Sequence, residues 1–203
     1  MVEKIKTGPF KGLLKNYYRV LLIDPPWAFK TYSDKGLDRS ADTHYDTMSL
    51  DDIKALPVSD LMDKDCAVFL WITDPLLFEG INVLKRWGCA YKTVGFYWVK
   101  LNKDLKTPFT GLGHWTRANC EQVLLATKGH PKRVGKGVPK LIASPRREHS
   151  RKPDEIFPRI ESLLGEVPRL ELFARQKRPG WDCWGAETTR FPEIRNDVED
   201  LIG

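Results

Sequence analysis

Residues 18 to 29 read YRVLLIDPPWAF, and they constrain the fold more than any other stretch. Val20 to Ile23 are a continuous apolar run of the kind that fills a strand covered on both faces, as in a parallel sheet. Pro25 and Pro26 cannot extend a central strand, because proline has no amide hydrogen to donate. The run therefore ends at Asp24, and two readings of the junction stand. One is an ordinary proline turn. The other is a small polar site: open α/β sheets place ligands at the carboxyl ends of their strands, and here an acid, two rigid carbonyls and Trp27 follow one another directly.

The rest of the chain alternates strand and helix patterns. Ser49 and Asp52 form a capping box for a short helix that Pro57 closes. AVFLWI (67 to 72) reads as a second buried strand. Asp74 is placed to cap a helix with Pro75 at its first position, Leu77, Ile81, Val83 and Leu84 on its apolar face, and Gly88 as its stop. Further strands are predicted at 93 to 99, 121 to 127 and 169 to 174. A helix from Pro153 to Leu164 is expected to kink at Pro158. Alternation of this kind predicts an α/β sheet with helices on both faces.

At 203 residues, 41% of them hydrophobic, the chain is expected to form one domain over residues 1 to 203. The opening MVEKIKTGPFKGLLKNYY is too polar for a signal peptide, and no apolar run approaches the roughly 18 residues a membrane span needs. A soluble, cytoplasmic protein with no membrane partner is expected. Cys66, Cys89, Cys120 and Cys183 form no CxxC pair and the four histidines do not cluster beside them, so no metal site is expected.

Charge is unevenly placed. Residues 128 to 152 hold nine Lys or Arg against the single acid Glu148, a net of +8 where the whole chain is +6. Such concentration is what neutralising a phosphate backbone requires, and it also fits a solvated basic loop. Lys132, Arg133, Arg146 and Arg147 are the candidate phosphate contacts. Two connections, 28 to 44 and 100 to 120, exceed what an α/β fold needs and read as lids or binding loops. The second mixes basic residues with Phe109 and Trp115, suiting an unstacked nucleic-acid strand; Trp115 fits equally well as a buried anchor.

Seven motifs occur in order: Asp24-Pro25-Pro26-Trp27, HYDTMSLDDI (44 to 53), FLWIT (69 to 73), GHW (113 to 115), HSRKPDEI (149 to 156), ELFAR (171 to 175) and GWDCWG (180 to 185). Together they strongly resemble the adenine-N6 methyltransferase family typified by the 70-kDa subunit of the messenger-RNA methyltransferase, over about residues 17 to 190. The resemblance implies a Rossmann-like methyltransferase fold, mostly parallel, with a circularly permuted motif order: catalytic strand first, cofactor region last. It implies S-adenosylmethionine as cofactor and an adenine amine as acceptor. The permuted order also accounts for the missing GxGxxG loop.

On this resemblance, Asp24 and the Pro25 carbonyl accept hydrogen bonds from the amine, Pro26 adds rigidity, Trp27 offers a stacking face and Tyr45 closes the pocket. Asp24, Lys152, Glu171, Phe173, Arg175, Gly185 and Glu187 carry over as cofactor contacts, with Lys152 paired to the methionine carboxylate. Two departures stand out. Ala186 replaces a common asparagine, and Gln176 to Arg178 replace a histidine-asparagine pair. DNA is the expected polymer, since the chain is little more than a catalytic domain, with RNA the alternative. The resemblance also allows a homodimer or a heterodimer with a paralogous subunit. A non-catalytic nucleic-acid-binding subunit is the competing class, disfavoured because Asp24 to Trp27 and Lys152 are intact.

Overall fold

The computed structural model describes residues 2–28, 47–113, 115–148 and 150–194. Their strands are β1 (Tyr18–Ile23), β2 (Met62–Ile72), β3 (Ala90–Leu101), β4 (Cys120–Lys128), β5 (Leu141–Pro145), β6 (Arg169–Leu172) and β7 (Asp182–Trp184). They form one sheet in the order β5-β3-β4-β2-β1-β6-β7. Only β4 runs against the others, between β3 and β2. The remaining neighbours are parallel. This is the mostly parallel, Rossmann-like arrangement expected. The strand that ends at Asp24 comes first in the chain, and the one opening the ELFAR run comes sixth. They are nevertheless hydrogen-bonded neighbours, Ile23 opposite Leu172.

Helices cover both faces, which is why residues 20–23 of β1 and 66–72 of β2 are apolar without interruption. Leu21 and Ile23 face a core shared with Ile53 of α1 (Leu50–Ala55) and with Val83 and Leu84 of α2 (Leu77–Arg86). Val20 and Leu22 face the opposite core, with Ile156, Phe157 and Ile160 of α3 (Ile156–Leu164). The two faces of one strand alternate with period two, and each meets a helix layer. The amino-terminal segment closes the β7 side: Phe10 is fully buried against Trp184, ring centroids 4.9 Å apart, and the Trp184 indole donates to the Pro9 carbonyl at 2.9 Å.

Local signals largely hold. Ser49 caps α1, its hydroxyl accepting from the Asp52 amide at 3.1 Å while donating to the Asp52 carboxylate. Gly88 ends α2 with φ +82°, a left-handed position that glycine adopts without a Cβ penalty. Three expectations are corrected. Asp74 does not cap α2; it opens a 3-10 turn over Asp74–Leu76 that precedes the helix, and its carboxylate takes the Gln122 amide instead. Pro158 produces no kink, because α3 begins at Ile156 and places the proline in the first turn, where an amide has no intrahelical partner to lose. The helix expected from Pro153 begins at Ile156 instead, which leaves Lys152 in the loop ahead of it. The edge strands β5 and β7 were not anticipated. Among the described residues no helix is long and apolar enough to cross a membrane.

Candidate active site

Three strands and two loops converge beyond the carboxyl end of β1. Parallel pairing brings Asp24 beside the end of β6, its amide donating to the Leu172 carbonyl at 3.4 Å. Antiparallel β4 contributes its beginning instead, so Glu121 opens next to the ends of β2 and β3, opposite Trp98. Lys152 arrives from the loop after β5. Its ammonium sits 2.9 Å from the Asp24 carboxylate and 3.4 Å from that of Glu121, which Lys100 of β3 holds from the other side at 2.6 Å. Lys152 also lies 5.5 Å from the Trp71 ring centroid. The result is a chain of alternating charges, Asp24, Lys152, Glu121 and Lys100.

Burial sets the protonation of this chain. It raises the Asp24 pKa above the ordinary aspartate value, while Lys152 pulls it back. At Glu121 burial pushes the same way, but Lys152 and Lys100 outweigh it and hold the carboxyl below the ordinary value. The two carboxylates flank one ammonium, so each acid has a cation in hydrogen-bond reach.

A second cluster lies on β6 and the loop after it. Glu171 carries a carboxyl pushed up to about 8, by burial first, with Arg178 opposing and Asp24 and Asp154 reinforcing. Its Oε2 is buried without a hydrogen-bond partner among the described residues; the Arg178 Nε stands 3.9 Å away. Arg178 bonds Asp154 at 3.2 Å and lies over the Phe157 ring. Phe173 turns the chain with φ +62°, a conformation that costs energy for a bulky residue and persists only when its surroundings hold it; its ring meets Trp184 edge-on at 5.3 Å. Gly185 passes so close that a Cβ there would sit 2.8 Å from the Ala174 carbonyl oxygen. Arg175 and Glu187 pair at 2.9 Å.

The structure thus sets Lys152 against Asp24, places Glu171 and Arg175 near that acid, pairs Glu187 with Arg175 and packs Gly185 on Ala174, next to Phe173. Pro25 and Pro26 follow Asp24, their carbonyls accepting from the Trp27 and Met48 amides. Trp27 is corrected: it is only 5% exposed and donates its indole N–H to the Trp71 carbonyl, so it anchors the strand end and has no free face for stacking. Arg146 lies over the Phe109 ring, and Arg147 bonds Asp154 and the Lys152 carbonyl, so both sit at this end of the sheet. Trp115 is fully exposed with φ +62°, which removes the buried-anchor reading. Lys132 and Arg133 are not brought to the site. They follow the far end of β4, where Lys128 pairs with Cys66, and so leave from the opposite edge of the sheet. Tyr45 lies outside the described residues. Sequence reasoning missed Glu121, Lys100, Asp154 and Arg178; an acid at the start of an apolar run was the sole local signal for Glu121.

The family model described as MT-A70 matches residues 18–187. The chain belongs to the MT-A70 family. It is 33% identical over 195 residues to the Type II methyltransferase M.MunI of Mycoplasma sp, covering 88% of this chain and 81% of that protein. It is 36% identical to an N(6)-adenosine-methyltransferase MT-A70-like protein of Drosophila melanogaster, over 83% of this chain and 26% of that one. The human N(6)-adenosine-methyltransferase catalytic subunit is 32% identical, over 89% and 30% respectively. The chain therefore spans most of the bacterial relative but less than a third of these two animal ones.

As an MT-A70 protein, the chain is an S-adenosylmethionine-dependent adenine-N6 methyltransferase acting on nucleic acid. The residues present suit that cofactor. The unpartnered buried oxygen of Glu171 can accept from ribose hydroxyls, cations at Lys152 and Arg175 suit its carboxylate and aromatic portions, and the Gly185 contact lets the backbone pass without a side chain.

Proposed function

We propose that Asp24 receives the N6 amine of an adenine taken out of its stack, with Lys152 and Glu121 holding that acid in place. The observation that carries this reading is the Asp24–Lys152–Glu121 chain, a partly buried acid fixed by a shared ammonium at the end of β1. S-adenosylmethionine supplies an electrophilic methyl group on sulfonium. Lys152 occupies Asp24 Oδ2, and a carboxylate with about four acceptor positions still has capacity for an amine N–H. The Pro25 carbonyl, already accepting from the Trp27 amide, has a second lone pair for the other N–H. As the nitrogen gains positive charge, acceptors already aimed at it stabilise the charge without reorganising. The proton of the methylated amine then leaves through Asp24, whose carboxyl, raised by desolvation, accepts it more readily than a fully solvated aspartate would. Lys152, Glu171, Arg175, Gly185 and Glu187 hold the cofactor beside it.

RNA is the polymer the named relatives support better, the fly and human proteins both being named for adenosine, the ribonucleoside. DNA, the polymer expected from the sequence, is the second reading, kept for the near full-length likeness to the Type II methyltransferase. An extruded adenine presents the same edge in either polymer, so contacts to the 2′-hydroxyl would make the difference. Trp115, Arg146 and Arg147 are the proposed strand contacts. The test is label transfer from methyl-tritiated S-adenosylmethionine to matched single-stranded DNA, duplex DNA and RNA oligonucleotides, followed by nucleoside analysis. N6-methyladenine in RNA supports the first reading and in DNA the second. No transfer despite cofactor binding would favour a requirement for a partner subunit, or the non-catalytic reading.

A further inference from the structure

The segment after Glu187 runs back along the loop that follows β6. The Phe191 amide donates to the Arg175 carbonyl at 3.1 Å, the Ile194 amide donates to the Lys177 carbonyl at 3.0 Å, and the buried Gln176 side chain donates to the Pro192 carbonyl. These bonds fasten the segment along residues 175 to 177. Phe191 thereby receives two guanidinium groups on one ring, Arg151 at 4.4 Å and Arg175 at 5.4 Å from the centroid. The two arginines come from different loops. Arg151 immediately precedes Lys152 in the loop after β5, and Arg175 lies in the loop after β6. Two like charges converging on one point repel, and a π face lets both approach the same group favourably. Glu148 at 3.2 Å from Arg151 and Glu187 at 2.9 Å from Arg175 balance the charge.

We infer that Phe191 is a positioning residue for S-adenosylmethionine: acting through Arg151 and Arg175, it holds the loops after β5 and β6 at the separation the cofactor needs. The inference rests on the assignment of Lys152, Glu171 and Arg175 to cofactor binding. It also gives a use to a departure from the family pattern. Gln176 to Arg178 stand where a histidine-asparagine pair is usual, and the Gln176 side chain fastens the segment at the Pro192 carbonyl.

The test compares wild type with Phe191→Ala, Phe191→Leu, Phe191→Tyr and, as a separate arm, Arg175→Ala. Affinity for S-adenosylhomocysteine is read by calorimetry, and hydrogen exchange of residues 187 to 194 is read without any ligand. Phe191→Ala is expected to weaken binding about tenfold, in line with two lost cation–π contacts, and to speed exchange in the segment. It should raise the KM for S-adenosylmethionine more than it lowers kcat. Phe191→Tyr, which keeps the face, should restore binding; Phe191→Leu, which keeps bulk alone, should not, and it serves if the alanine variant fails to fold. If Arg175→Ala loses affinity while both Phe191→Ala and Phe191→Leu bind as wild type, the role of Phe191 is overturned alone. If Arg175→Ala also binds as wild type, the assignment of the cleft fails and the inference falls with it.

Discussion

Glu171→Gln in the cofactor-free protein should flatten the pH dependence of stability between about pH 4.5 and 8. In the folded chain the Glu171 carboxyl titrates at about 8 instead of the ordinary 4.5, because burial strips it of water and the pull of Arg178 is partly cancelled by Asp24 and Asp154. The unfolded chain releases this proton near 4.5, and the folded chain keeps it until about 8. Between those values the folded state binds more protons, so raising the pH favours unfolding; below the window the group contributes nothing, and above it the full penalty is present. A gap of about 3.5 pH units at 1.36 kcal/mol each gives an upper bound of roughly 4–5 kcal/mol. The side chain keeps 18% of its surface exposed, and with solvent screening and rearrangement of Arg178 about 2–4 kcal/mol is the working figure. Glutamine does not titrate, so urea unfolding at pH 5, 6.5 and 8.5 should show the variant gaining on wild type by that amount across the series. Asp24 is raised in both proteins, and because it acts on Glu171 the difference between them includes that coupling. Parallel curves for the two proteins would refute the argument. A second readout follows from the same physics. Ribose hydroxyls donating to Glu171 favour its ionised form, so S-adenosylhomocysteine binding near neutral pH should release a proton in wild type and none in the variant, measured by calorimetry in two buffers of different ionisation heat.

Asp24→Asn keeps the size of the side chain but removes its charge, and it should slow methyl transfer by about 100-fold or more while S-adenosylhomocysteine still binds. A wild-type rate in single-turnover assays would show that Asp24 does not receive the amine. Trp115→Ala should weaken oligonucleotide binding about tenfold in fluorescence anisotropy, the loss of one stacked base, with the Tm nearly unchanged because the ring is fully exposed. Unchanged affinity would make Trp115 an ordinary surface residue.

Much of the scaffold was legible in the residues themselves. The apolar run ending at Asp24, the capping box at Ser49 and Asp52, and the glycine stop at Gly88 are local patterns with local causes, and all three stand in the structure. The short edge strands β5 and β7 were not legible, because three to five residues paired on few bonds carry too little periodicity to stand out. The basic stretch looked like one surface in the sequence, but the reversal of β4 sends Lys132 and Arg133 away from Asp24, and β5 returns Arg146 and Arg147 toward it.

By itself, then, the sequence determined where the central strand stops, which acid stands at its end and which ordered motifs surround it, since those depend on neighbours along the chain and on side-chain chemistry. Tertiary structure alone decided that Glu121 joins the site, that Trp27 is buried, and that Phe191 meets two arginines. Each depends on the direction of a strand or the course of a loop relative to residues far along the chain. Contacts of that kind are set by how the sheet assembles, and no local pattern encodes them.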